Sequence, residues 1–418
     1  MGNKFLLSGI QVFLFASLLT SCDNDDTIIE RSAIKFDKHS VSVLPVGAQE
    51  TLQLTANADW EVKEVPEWIL IDKMEGTKND QLTIHVKENR ARKGRSHTLT
   101  VFCGNTRDTM NISQQGLADL VFSPALPLFF LSDIEMSGDD SNQYTVTTKS
   151  MFVNPDIRNK IYLGNLISPK AQTATNMTEF TGYTFNPITI SSPVIYSREI
   201  YPSRAEQEAY VQDILAENPK QVESFVSDNG TTEFYTYKHL HAIGNANLGI
   251  KLDELVKGFP YAKEEMTKNF GLIFSFKKLI FSVAMDYPIK LIKEDLKTED
   301  RNKGVAYVST VSYGKLGLLI GESDIDSREF KVAVNNYLSN RSLTQTEINI
   351  LDNTDLCYVS FDNNGQPQKQ SGSWQSVLTA YRNALTDDNS NIYPVQFGLA
   401  DFDHHGMSPI SFSFSVTK

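Results

Sequence analysis

Two long runs of strand-forming residues near the middle of the chain constrain its fold more than any other feature. The first, Lys277-Lys278-Leu279-Ile280-Phe281-Ser282-Val283-Ala284-Met285-Asp286, ends at Tyr287-Pro288. The second, Gly304 to Lys315, follows after a short gap and is dense in valine, tyrosine, serine and threonine. Runs of β-branched and aromatic residues at this density pack well on a pleated surface and poorly in a helix. They predict a central sheet to which the rest of the region must attach.

The amino terminus predicts export. Lys4 supplies a positive start, and Phe5 to Leu19 an apolar stretch interrupted only by Ser8, Gly9, Gln11 and Ser17. That is the pattern of a signal peptide, not of a membrane span. Leu19-Thr20-Ser21-Cys22 resembles a lipobox, so residues 1–21 are expected to be removed and Cys22 to be acylated. Lipid chains contribute about 0.8 kcal/mol per buried methylene, enough to hold a protein on a membrane without a spanning helix. The acidic tether Asp23-Asn24-Asp25-Asp26, within residues 22–32, resembles a surface-export signal of bacterial lipoproteins. The expected location is the outer membrane, at the cell surface and lipid-anchored, with release as a further route.

With 418 residues, a mature chain of two or three domains is expected. A formal charge of −12 argues against a nucleic-acid partner and against adsorption to anionic lipid by charge alone. Besides Cys22 there are only Cys103 and Cys357, too far apart in sequence to suggest a disulfide framework, and both read as thiols in packed strands.

Short period-2 runs at Thr51 to Leu54, Leu82 to Val86 and Thr98 to Val101, with Gly76, Asn79, Asp80, Gly94 and Gly104 between them, predict a small β-sandwich. Asp59-Trp60-Glu61-Val62, Trp68-Ile69, Asn89, Arg95 and the closing Ile112-Ser113-Gln114-Gln115-Gly116 resemble the BACON module over residues 33–116. That family was named for a carbohydrate-binding role, so a carbohydrate partner follows as an expectation. Trp60 and Trp68 are either its sugar-stacking residues or core tryptophans, and the domain is either a spacer or a glycan binder.

The two central runs, in their order and spacing, resemble the cholesterol-dependent (thiol-activated) cytolysins. Ala306-Tyr307-Val308-Ser309, Val311 and Tyr313-Gly314 follow the family's second central strand, and Lys315 stands where the family has arginine. The likeness extends over roughly residues 160–418, through Glu347 to Ser360 and Ile392 to Phe397. It implies for residues 117–418 an α+β, cytolysin/MACPF-like domain: a bent central antiparallel sheet flanked by helical clusters. It also implies a pore-forming subunit that oligomerises, as a homo- or hetero-oligomer. Tyr313-Gly314 is the expected hinge, within a central sheet that includes Tyr307 and Lys315.

A pore-former of this kind needs segments that are helices in one state and amphipathic strands in the other. Leu248, Leu252, Leu255, Val256 and Phe259 form a helical stripe from 248 to 259, while Leu248, Ile250 and Leu252 also alternate. Phe330, Val334, Tyr337 and Leu338 are helical neighbours, while Phe330, Val332 and Val334 alternate. A membrane strand takes about 9 to 11 residues, and 235–259 and 322–343 each hold two. Gly244, Gly249 and Gly258 suit a metastable helix or a helix end.

The family's sterol-binding β-sandwich and its tryptophan-rich cysteine loop have no counterpart among Trp60, Trp68 and Trp374, so direct cholesterol binding is not carried over and Cys357 inherits no reactive role. A partner bearing a docking domain is expected instead. The Asp401, Asp403, His404 and His405 group reads as a solvated loop, no cofactor or metal is implied, and no enzyme is expected. The alternatives to a pore-former are a non-lytic adhesin or glycan-binding surface lipoprotein, and a protein that neutralises a related toxin. The chain alone is expected not to release dye from sterol liposomes, and efficient release would show that the docking domain is dispensable.

Overall fold

The structure, a computed structural model, describes residues 31–119, 135–138, 143–195, 197–217, 226–257, 265–387 and 391–416. The signal peptide, Cys22, most of the acidic tether, Gly258 and Phe259 lie outside the described residues.

The N-terminal sandwich packs a four-stranded sheet of Ile34–Phe36, Ala48–Ala56, Asp80–Val86 and Ile69–Ile71 on a five-stranded one. The second holds Ser40–Val43, Thr106–Gln114, Arg95–Cys103, Asp59–Lys63 and Glu75–Thr77. Alternation sends Leu52, Leu82, Ile84, Leu99, Val101 and Met110 into a shared core. The sparse polar positions tie its loops. The Asn89 amide donates to the carbonyls of Lys93 and Gln115 at 3.0 Å each, and Gln114 donates to that of Lys87 at 2.9 Å while accepting from Arg95 at 2.8 Å.

In the larger region, two strands of 16 and 18 residues form the centre of the sheet. We call Val226–Phe234 β1, Phe270–Met285 β2, Ala306–Ser323 β3, Asp355–Phe361 β4, Pro367–Ser371 β5 and Tyr393–Asp401 β6. Strands β2 and β3 are antiparallel neighbours from Phe270↔Ser323 to Ala284↔Thr310. Their outer neighbours change midway. On one side β1 pairs with Gly271 to Leu279, and Ile188–Ser191 takes over at Ala284 and Met285. On the other, β6 pairs with Ala306 to Gly314, and β4, itself edged by β5, pairs with Leu318 to Glu322. The register slips at the same level, between Leu279 and Phe281 in β2 and, opposite Ser312 and Tyr313, between Pro394 and Gln396 in β6, with a further slip in β3 between Val308 and Thr310. Such bulges bend a strand and raise its twist, so the sheet is bent where its partners change.

Both faces of the upper half are covered, which is why its apolar residues fall on both faces and do not alternate with polar ones. Leu272, Phe274, Phe276 and Leu319 face helices α4 (Ser327–Leu338), α5 (Gln345–Asp352) and α6 (Trp374–Thr386). Ile273, Leu279, Leu316, Leu318 and Ile320 face α2 (Tyr237–Leu248) and α3 (Leu252–Val256). A further helix, α1 (Arg204–Ala216), packs Tyr210, Val211 and Ile214 into the core of the lower half. The expected strands were too short: β2 begins seven residues before Lys277, and β3 continues eight beyond Lys315.

At the bend, Gly314 is required by contact, not by dihedral preference. A Cβ there would lie 1.9 Å from the Lys278 carbonyl oxygen of the paired strand. The nearest atoms are all backbone of Lys278 and Leu279, which leaves no side chain to move aside, so Gly314→Ala is expected to destabilise the domain by about 3 kcal/mol or more in urea unfolding. An unchanged midpoint would show that the two strands separate here at little cost.

Candidate functional site

The bend carries the residues singled out in the sequence. Tyr313 is buried, stacks on Phe281 with ring centroids 5.1 Å apart, and accepts a hydrogen bond from the Gln207 amide at 2.9 Å. Next to Gly314, Lys315 is also buried, lies directly across from Lys278, and sits 3.8 Å from Asp387 just beyond α6. On the opposite face Lys277 donates to Gln396 of β6 at 3.2 Å. Tyr307 lies at the far end of β3, its hydroxyl 3.2 Å from His405, and burial pushes that hydroxyl up to about 12.

Two helical insertions hang from this sheet, and the ends of each are hydrogen-bonded neighbours. The first, residues 235–269, joins β1 to β2, whose last pair is Phe234↔Gly271. The second, residues 324–354, joins β3 to β4, whose last pair is Glu322↔Asp355. They lie on opposite faces of the sheet.

Within the first insertion, Thr236 caps α2 by accepting from the His239 amide. Gly249 ends the helix in the left-handed conformation, φ 64°, which glycine adopts freely. The continuous helical stripe expected from 248 to 259 is therefore two helices with a break at Gly249–Lys251. Leu248 and Leu252 are buried on either side of that break, and Ile250 is half-buried. The Tyr237 hydroxyl donates at 2.7 Å to Glu322, a fully buried carboxylate at the end of β3. In the second insertion Asp326 caps α4 and a Thr344/Glu347 capping box starts α5. Phe330 and Val334 are fully buried while Val332 is 53% exposed, as a helical stripe requires.

The sandwich touches both insertions, a contact that no motif or period announces because its residues lie far apart in sequence. One guanidinium nitrogen of Arg90 donates to Glu233 at 3.4 Å and to Ser327, the first residue of α4, at 3.2 Å. The Arg92 amide donates to the Asn269 carbonyl, just before β2, at 3.3 Å.

The tryptophans proposed to contact glycan are differently placed. Trp60 is 2% exposed, with its indole N–H donating to the Lys78 carbonyl at 3.0 Å, so its ring is core and offers no face to a sugar. Trp68 is half-buried beneath the Arg95 guanidinium, 4.6 Å from the ring centroid, so a sugar would have to compete with that cation. The Asp401 carboxylate is turned inward on its loop, accepting the backbone amides of Asp403 and His404.

Comparison with known proteins gives matches of two kinds. The family profile described as "Viral BACON domain" matches residues 28–117, the N-terminal sandwich. No curated protein matches the chain. Among solved structures, listeriolysin O is similar at 15% identity and TM-score 0.49, over 71% of this chain and 66% of that one. A pneumolysin structure gives 16% identity and TM-score 0.49 over 67% and 66%. A non-hemolytic pneumolysin from Streptococcus pneumoniae strain ST306 gives 15% and 0.48 over 69% and 68%. The chain thus spans just under two thirds of the length of the first two.

Cys357 lies fully buried in β4, and burial raises its thiol to about 12. A thiol so protonated is a poor nucleophile. Cys357 is therefore expected to resist a thiol-specific chromogenic reagent at pH 8 in the native protein and to react promptly in denaturant, and rapid native labelling would contradict its placement.

Proposed function

We propose that this chain is a cytolysin-like, pore-forming surface lipoprotein subunit, which oligomerises and inserts two β-hairpins into a target membrane with help from a partner protein. One observation carries the reading: each insertion joins two strands that are already antiparallel hydrogen-bonded neighbours. Straightening residues 235–269 would prolong the β1/β2 ladder past Phe234↔Gly271. Straightening 324–354 would prolong β3/β4 past Glu322↔Asp355. The existing register then templates each hairpin, and closure of a multi-subunit barrel would satisfy the backbone in lipid. Leu248, Ile250 and Leu252, and Phe330, Val332 and Val334, would supply lipid-facing positions.

In this reading the protein is not an enzyme and needs no cofactor. An acyl group on Cys22 would hold it at the outer cell surface, with cleavage or shed vesicles delivering it elsewhere. Glycan binding by the sandwich would have to use surfaces other than Trp60.

Glu254 and Arg328 favour a second reading, a non-lytic adhesin or toxin-neutralising lipoprotein. Glu254 shares the strand parity of Leu248, Ile250 and Leu252, and Arg328 that of Phe330 and Val332, so each would put a charge on the lipid-facing side. An arginine there costs about 2 to 4 kcal/mol at the bilayer midplane, a glutamate less, and either costs little near the interface. Single-cysteine variants across 244–258, carrying an environment-sensitive dye, distinguish the readings. With target membranes and a candidate partner, emission is expected to alternate in intensity from one position to the next. A flat profile, with binding but no alternation, would support the non-lytic reading and sink insertion.

A further inference from the structure

A cleft of about 550 Å³ lies behind the bend, between α1, the loop after Phe152 and the turn after β4. Its lining carries two guanidiniums, Arg158 and Arg204, one carboxylate, Glu208, and the amides of Gln207, Gln212 and Asn391, and Tyr313 of the bend forms part of the wall. The two guanidiniums are treated unequally. Arg204 is compensated: its Nε donates to Glu208 at 2.6 Å and its Nη1 to Asn159. Arg158 makes no ion pair among the described residues. Its Nη2 donates to the Asn363 carbonyl at 2.6 Å, while its Nη1 is buried with no hydrogen-bond partner among the described residues. The nearby Asp362 carboxylate is committed to its own turn, accepting the amides of Asn364 and Gln366.

Burying a cation's N–H without an acceptor forfeits its hydration with nothing in return, so native proteins rarely leave one so. Here the cost is compounded by a second cation. Burial and the charge of Arg204 both work against the charged form of Arg158. Opposite charge, room and neutral amide donors are what an oxyanion would find in this cleft. A planar or tetrahedral oxyanion is also the natural partner of a guanidinium fork.

We propose that this cleft is a binding site for a small oxyanion, a carboxylate or phosphoryl group on a hydroxylated small molecule, held by Arg158 and steadied by Gln212 and Asn391. The bound anion would sit against α1, whose Gln207 holds the Tyr313 hydroxyl. Occupancy would therefore tie α1 to β3 at the bend. That last consequence rests on the pore-forming reading, whereas the binding does not.

Thermal unfolding of the mature chain separates the possibilities. Acetate and glucuronate serve as carboxylate probes, inorganic phosphate and glucose 6-phosphate as phosphoryl probes, and glucose as the neutral control, all at matched ionic strength in sodium chloride. At least one charged probe is expected to raise the midpoint in a saturable manner, and the probe that does so identifies the group. In Arg158→Gln the apparent affinity for that probe is expected to fall at least tenfold. Gln212→Glu, which places a carboxylate in the cleft, is expected to raise the midpoint without ligand and abolish the response; it serves as the test if Arg158→Gln does not fold. No response to any charged probe beyond that to sodium chloride, or an equal response in both variants, would overturn the site. Because the readout is ligand-dependent unfolding, failure of membrane insertion leaves this result unaffected.

Discussion

Strands β2 and β3 are bound to each other along nearly their whole length, whereas each outer neighbour covers only one half. That asymmetry of hydrogen bonding organises the larger region. The central ladder fixes a common axis, and the exchange of partners around Leu279 and Gly314 lets the two halves face different cores. A glycine is needed there because the Lys278 carbonyl closes on the position where a side chain would begin. Around this pair, the helices are lodgers on a scaffold: they close apolar faces that the ladder alone would leave in water.

What holds those lodgers is mostly burial. Leu248, Leu252, Phe330 and Val334 are each almost wholly removed from solvent, and each such side chain contributes roughly 1.5–3 kcal/mol. Capping by Thr236, Asp326 and Thr344 adds about 1 kcal/mol apiece. A structure that surrenders these contacts needs a replacement of similar size, and lipid exposure of the same side chains, with completed strand pairing, is one. The break at Gly249 shortens the first insertion's helices to 12 and 5 residues, and helices this short depend on packing, not on intrinsic propensity.

Much of this was legible in the chain, for identifiable reasons. The lower half of β2 and β3 announced itself through dense aromatic and β-branched residues such as Phe281, Val283, Tyr307 and Val311. The upper half did not, because Gly271, Gly317 and Gly321 interrupt the pattern. Those glycines sit beneath the rings of Phe234, Phe276 and Phe330, a pairing of small against large that only three dimensions reveal. The helical stripes of Phe330 and Val334 were readable because one face is buried and Val332 is not. The sequence left Trp60 open between core and binding surface, since a tryptophan in a small sandwich can be either, and only its burial places it in the core. The Arg158 cleft left no trace in sequence, because its residues come from five separate stretches and its significance lies in a missing partner.

The seat of the sandwich on the larger region has a mechanical consequence. Arg90 and Arg92 reach Glu233, Ser327 and Asn269, which mark the roots of both insertions. A pull on the N-terminal sandwich therefore does not spread evenly through the molecule. Its load path arrives at the first turn of α4 and the start of β2, while the bend at Gly314 lies tens of ångströms farther down the same strands by their rise per residue. Tension thus enters this pair of strands at one end, well away from the bend at their middle.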